Sequence, residues 1–267
     1  MTKIAVGEIE LDYERSGSGP PLLLIMGMSG TALHWGEPFL EQLRADFEVI
    51  VYDHRGVGAS TPLDGGVSIV QMAEDAAGLL SALGLESAHI TGISMGGMIA
   101  QELALGHPKL VRTLTLGCTY CGGPGSSQAS PELMQRLAEA MMSGDRQRAL
   151  RVGWEANVSK AMLEDDDAYA AFLAIAQRRV VAVQVVMAQA QAIFAHDTSA
   201  RLGGLHMPTL VIHGSEDQML PVENGRLIAS LIPGSRLEIL DGVGHLFFWE
   251  RPELSAELIR ANAAVHA

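Results

Sequence analysis

The chain has 267 residues, 48% of them hydrophobic and 18% charged, which suits one large domain, or one with a sizeable insertion, and excludes a disordered or fibrous chain. Lys plus Arg total 18 against 31 Asp plus Glu, a formal net charge of −13. An acidic chain without a Lys/Arg block excludes nucleic acid and anionic membrane as expected partners. The first seventeen residues, MTKIAVGEIELDYERSG, are interrupted by charges and do not read as a signal peptide, so a cytoplasmic location is expected.

In chain order, Glu8 to Tyr13 alternates as an exposed strand does. Leu22 to Met26, Val49 to Tyr52, Ala88 to Gly92, Leu110 to Leu116 and Thr209 to Ile212 are compact apolar runs bounded by Gly, Pro, Asp or Ser. Strands buried on both faces of a parallel sheet read this way. Ser68-Ile69-Val70-Gln71 has the form of a capping box, Met72, Ala76, Leu79, Leu80 and Leu83 follow at helical spacing, and Gly84 supplies the stop. The alternation predicts an α/β fold with a mostly parallel sheet. From about Gly122 to Ala200 the rhythm changes to helical spacing, as in Leu133, Leu137 and Met141. The expected division is a core of residues 1–121 and 201–267 with a helical cap at 122–200. Within the cap, Val180 to Ala195 is the most membrane-like stretch, but it carries Gln184, Gln189 and Gln191 and falls short of the roughly 20 apolar residues of a spanning helix. It reads as a buried or half-buried helix.

The sharpest chemical signal is Gly92-Ile93-Ser94-Met95-Gly96-Gly97, with strand pattern before it and helix pattern after. A serine at so tight a turn adopts strained backbone angles and needs glycines around it, and the turn aims a helix N-terminus at the hydroxyl. Ser94 is the expected nucleophile. His245, in the Gly-rich Asp241-Gly242-Val243-Gly244-His245 after the strand-like Arg236 to Leu240, is the expected base. His54, His89, His107 and His266 read as surface or structural. Asp217, in the loop after Thr209 to Ile212, is the expected acid, with Glu216 its competitor. After Leu114-Thr115-Leu116, the other usual place for the acid, stands Gly117-Cys118-Thr119-Tyr120, without a carboxylate. The order Ser94, Asp217, His245 is nucleophile, acid, histidine. The oxyanion hole is expected from the backbone N–H groups of Met95 and Met28.

Cys118 and Cys121 read as two buried thiols rather than a redox pair or half a zinc site. No H-E-x-x-H, Walker loop or dinucleotide fingerprint is present. Cofactors and metals are therefore expected to be none, and activity should survive exhaustive chelation and dialysis. A loss of activity restored by zinc or manganese would contradict this.

Taken together, Leu24-Ile25-Met26-Gly27 with Trp35, Asp53-His54-Arg55-Gly56-Val57-Gly58-Ala59-Ser60, the Ser94 turn, Gly214-Ser215-Glu216-Asp217, and Gly244-His245 with Glu250-Arg251-Pro252 resemble the α/β-hydrolase superfamily, of the compact microbial type. The resemblance implies a sheet of about eight strands, a cap inserted after the sixth, and Ser94, Asp217 and His245 as the triad. It gives Asp53 and Arg55 a structural role. Many relatives carry His where Met26 stands, a residue that shapes the oxyanion loop rather than reacting. The helix after Ser94 resembles carboxylesterases and enol-lactonases. C–C bond hydrolases of similar size are disfavoured by Ile93 and Leu246, and the serine excludes dehalogenases and epoxide hydrolases. The implied partner is a small, largely apolar ester or lactone, with a ligand receptor of the same fold as the non-enzymatic alternative and the oligomeric state left open. Met134, Met141, Met142, Met162, Met187, Phe172 and Phe194 of the cap are expected first of all as core. Arg136, Arg146, Arg148, Arg151, Arg178 and Arg179 are read mostly as solvated, with a clamp for an anionic substrate as the sharper alternative.

Overall fold

A computed structural model describes residues 1–265. Eight strands form one sheet: β1 (Thr2–Val6), β2 (Ile9–Gly17), β3 (Pro21–Ile25), β4 (Glu48–Tyr52), β5 (Ala88–Ile93), β6 (Val111–Gly117), β7 (Thr209–Gly214) and β8 (Arg236–Leu240). Their order is β1-β2-β4-β3-β5-β6-β7-β8. β1 pairs antiparallel with β2, and β2 with β4; every other pairing is parallel.

Alternation along each apolar run divides it between two cores. Leu23 and Ile25 of β3 and Ile50 of β4 join one cluster, with Met72, Leu79 and Leu80 of α2 (Ile69–Ala82) and Ile99 and Leu103 of α3 (Met95–Gly106). Leu22, Leu24, Val49 and Val51 point the other way. They meet Phe39 and Leu43 of α1 (Glu37–Arg44), Phe247 and Phe248 of α9 (Phe247–Glu250) and Ile259 of α10 (Pro252–Ala264). A strand covered on both faces has no polar alternate, hence the unbroken apolar runs. Each such Leu or Ile removed from water contributes about 1.5–3 kcal/mol. α8 (Glu223–Leu231) joins the first layer through Ile228.

Four helices lie between β6 and β7: α4 (Pro131–Met142), α5 (Arg146–Asn157), α6 (Asp166–Arg178) and α7 (Val183–Phe194). The expectation of a buried methionine and phenylalanine set here is corrected. Met134, Met141, Met142, Met187 and Phe194 are exposed, Phe194 by 68% and Met142 by 85%, because each helix lies over the rest of the molecule on one face only. Phe172 is half-buried against Trp154, Trp249 and His34. α7 is half-buried, and among the described residues no single helix is long and apolar enough to cross a membrane.

Smaller corrections concern side chains. Ser68 Oγ accepts the Gln71 N–H at 3.1 Å, but Gln71 is exposed and its side chain returns no bond, so the cap is one-sided. Of the two roles read for His54, surface or structural, the structure shows the second: it is buried and its Nε2 bonds the Met26 carbonyl at 2.9 Å. His89 is buried beside Thr113 Oγ1, and His107 pairs with Glu74. His266 lies outside the described residues.

Candidate active site

Ser94 sits between β5 and α3 with φ 56° and ψ −124°, outside the ordinary range of a side-chain-bearing residue. Two flanking glycines make the turn possible. A Cβ on Gly92 would lie 2.2 Å from the Gly96 carbonyl oxygen, and one on Gly96 would lie 2.0 Å from that of Ile25. The turn is tied down on all sides. Ser94 N–H donates to the Gly117 carbonyl at 3.0 Å, and Thr119 Oγ1 donates to the Ser94 carbonyl at 2.7 Å. Met95 opens α3, so its N–H has no acceptor within the helix.

Beyond β3 the chain turns back at Gly27, against the elbow. A Cβ on Gly27 would lie 3.1 Å from Ser94 Cβ and 3.7 Å from Oγ. Gly30 N–H closes the turn on the Gly27 carbonyl, and Ser29 takes φ 58°. Among the described residues neither the Met28 nor the Met95 N–H donates to a protein acceptor outside regular elements.

Asp217 follows β7, and His245 follows β8. His245 Nδ1 and Asp217 Oδ2 are 2.7 Å apart, both residues being buried. With Nδ1–H donating to the carboxylate, Nε2 is left bare as a proton acceptor. Asp217 Oδ1 accepts the N–H groups of Met219 and Leu220, each at 2.9 Å. His213 Nε2 stands 3.3 Å from Oδ2. Burial alone would raise this carboxyl's pKa, but His245 and His213 outweigh it and hold the group well below the usual carboxylate range. Glu216 points elsewhere: its Oε2 accepts the Lys160 N–H at 3.0 Å. No hydrogen bond joins the Ser94 hydroxyl to the imidazole among the described residues; the loops that carry them are linked by Ser94 N–H to the Gly117 carbonyl and by Cys118 Sγ to the Gly244 carbonyl at 3.8 Å.

The lowered Asp217 pKa has a consequence for stability. Its folded value lies below its unfolded one, so the stabilisation is complete above about pH 4 and is lost as pH falls through the folded value. Urea unfolding between pH 5 and pH 3 should show this group contributing up to about 1.4 kcal/mol per pH unit. Asp217→Asn should flatten the fall; an unchanged slope in the variant would contradict the assignment.

Three supports escaped sequence reasoning. His213 reads as a strand residue, yet its Nε2 also bonds the Leu220 carbonyl at 2.7 Å and so braces the acid loop. Glu250 Oε1 accepts both Gly244 N–H and Ser159 N–H at 2.9 Å, tying the histidine loop to the residues after α5. Leu246 N–H adds a bond to the Asn157 carbonyl. Gly244 is packed so closely there that a Cβ would lie 2.6 Å from the Val158 carbonyl carbon. The Glu250-Arg251-Pro252 motif was the available signal for Glu250. For His213 there was only its place four residues before Asp217.

The two cysteines are free and buried. Cys118 takes φ 39°, and its Sγ accepts the Gly214 N–H at 3.4 Å. Burial, then the Asp217 charge, push its thiol pKa well above the ordinary value, which disfavours the reactive thiolate. Cys118, Asp217 and His245 present potential ligand atoms within 4.8 Å of one another. The His245–Asp217 hydrogen bond already uses one donor pair of that trio.

A family model described as the alpha/beta hydrolase fold matches residues 20–252. The chain belongs to this family. It is 32% identical over 258 residues to a protein of Azorhizobium caulinodans that carries the name carbamate hydrolase RutD, covering 95% of this chain and 94% of the relative. Among solved structures it is similar to an enol-lactonase from Burkholderia xenovorans LB400 (25% identity, TM-score 0.84, 98% and 100% of the two chains). It is also similar to a thermophilic esterase from Thermogutta terrifontis (27% identity, TM-score 0.82, 99% and 98%). This alpha/beta hydrolase is therefore expected to be hydrolytic, and its eight-stranded sheet with helices inserted after the sixth strand is the architecture that the family resemblance implied.

Proposed function

We propose that the chain is a serine hydrolase acting on small carboxylic esters or lactones through an acyl-enzyme. The observation that carries this reading is the strained Ser94 at the N-terminus of α3, combined with an imidazole whose Nδ1 is taken by Asp217. In the mechanism, His245 Nε2 removes the Ser94 proton as Oγ attacks the carbonyl carbon. Met28 and Met95 N–H groups receive the developing oxyanion, and the imidazolium then protonates the leaving oxygen. Water repeats the sequence on the acyl-enzyme. Residues 122–200 act as the cap over the reacting centre.

The arginines favour an uncharged substrate. Arg179 is taken by Asp12 and Asp53, Arg151 by Glu155, and Arg146 by the Ala176 carbonyl, while Arg136, Arg148 and Arg178 are exposed. No inward cation among them is left for an anionic clamp of the kind an enol-lactone acid would require. The similarity to a protein named a carbamate hydrolase supports a second reading, in which a carbamate takes the place of the ester and the same residues act.

A fluorophosphonate probe with peptide mapping tests the reading, alongside turnover of p-nitrophenyl esters and carbamates. Covalent labelling at Ser94 together with ester turnover is expected. An unreactive Ser94 and no turnover would favour the ligand-receptor alternative.

A further inference from the structure

α7 crosses the carboxyl ends of the strands, touching the core at positions four residues apart. Val185 lies over the loop after β4, where a Cβ on Gly56 would meet it at 3.1 Å. Gln189 lies over the loop after β3, its Oε1 accepting the Ser29 N–H at 2.9 Å. Ile193 lies by the loop after β6, its carbonyl accepting Tyr120 Oη–H at 2.6 Å. Residues at this spacing share one helix face. The middle one is an amide in an otherwise apolar stripe, and it is 1% exposed.

The two ends of that amide differ. Only its oxygen can accept the Ser29 N–H, so the flip is determined. Its Nε2 is buried and has no protein partner. A buried donor without an acceptor carries the full cost of its lost hydration. Ser29 follows Met28 in the oxyanion loop, which lies against Ser94 at Gly27. Gln189 is thus bonded to the loop that lies against Ser94, not turned to the outer surface of the helix.

The side of the site on which it stands is also determined. Asp217 and His245 follow β7 and β8, on one flank of β5; Ser29 follows β3, on the other. A tetrahedral adduct on Ser94 turns its leaving group toward the imidazole that protonates it. The oxyanion then faces Met28 and Met95 on the β3 flank, and the acyl chain leaves the same carbon away from the imidazole.

Resting on the reading of the site as an acyl-transferring hydrolase, we propose that Gln189 is a specificity-determining residue. Its Oε1 holds the oxyanion loop, while its Nε2 donates to an acceptor oxygen in the acyl chain. The favoured substrates are esters or lactones of oxygenated acids, with an ether, hydroxyl or keto oxygen near the scissile carbonyl.

Two isosteric esters test this: p-nitrophenyl methoxyacetate, and p-nitrophenyl butyrate, in which a methylene replaces the ether oxygen. The wild-type protein, Gln189→Leu and Gln189→Glu are compared on both. Gln189→Glu keeps an acceptor for Ser29 N–H but loses the donor, so it separates the two roles. Differences in intrinsic reactivity between the esters cancel when each variant is compared with wild type. Both variants should lose at least about fivefold more kcat/KM on the methoxyacetate than on the butyrate. Equal losses on the two esters, or a selective loss in Gln189→Leu alone, would overturn the donor role. If wild type labelled with fluorophosphonate and hydrolysed butyrate without such a difference, only the Gln189 assignment would fall. Absence of both labelling and turnover would remove the hydrolase reading and this assignment with it.

Discussion

Ser94→Ala should lower ester turnover by on the order of 10⁴- to 10⁶-fold while leaving the fold intact. The loss is large because the alanine variant has no atom to form the acyl-enzyme, so the covalent route is closed. Residual rate would come from substrate binding and the main-chain donors, which the substitution does not touch. The fold should tolerate the change. The bonds that hold the elbow are made by the Ser94 N–H and carbonyl, to Gly117 and Thr119, not by the hydroxyl. Steady-state kinetics and thermal unfolding on the same preparation check both halves. Near-full turnover in the variant would remove Ser94 as nucleophile, whereas a collapse of stability would show that the hydroxyl is structural.

Asp217→Asn should cost about three to four decades in kcat, and Glu216→Gln should cost little. The two carboxylates are neighbours in sequence with different partners. Asp217 takes His245 Nδ1, His213 and two backbone N–H groups; Glu216 takes the backbone of Lys160. An amide at 217 can turn its NH₂ toward the imidazole, which then accepts at Nδ1 and carries its proton on Nε2, the wrong nitrogen for removing a proton from serine. An amide at 216 still accepts the Lys160 N–H through its oxygen. Turnover of both variants across the pH range decides the matter. A crippled Glu216→Gln beside a mild Asp217→Asn would reassign the acid and leave Ser94 and His245 standing.

What could be read in the sequence follows from which physical signals survive without coordinates. The inner strands β3 to β7 announce themselves as short, largely buried runs bounded by turn residues, and the elbow because few other turns demand Gly92 and Gly96 around a serine. β1 did not, since it lies at the sheet edge with four of its five residues outside the buried class and so lacks the apolar run of an inner strand. Asp217 and Glu216 could be ranked only by loop position; side-chain direction separated them. Gln189 was visible as a polar residue in an apolar stretch, but its role depends on α7 lying across β3, a long-range fact. The outward-facing methionines failed for the same reason: composition does not say which face of a helix meets the rest of the molecule.

About ninety residues separate Gly117, the last of β6, from Thr209, the first of its neighbour β7. Closing that span costs about 2 kcal/mol more chain entropy than closing a ten-residue connection. The two halves of the candidate site are thus encoded far apart in the chain. A ribosome-bound chain ending near Cys121 already encodes the elbow and the oxyanion loop, whereas the acid and the imidazole emerge only with the last quarter. On the proposed mechanism, such a chain would carry its serine without a base until β7 and β8 join the edge formed by β6. Chemical potency is, by topology, a property of the completed polypeptide.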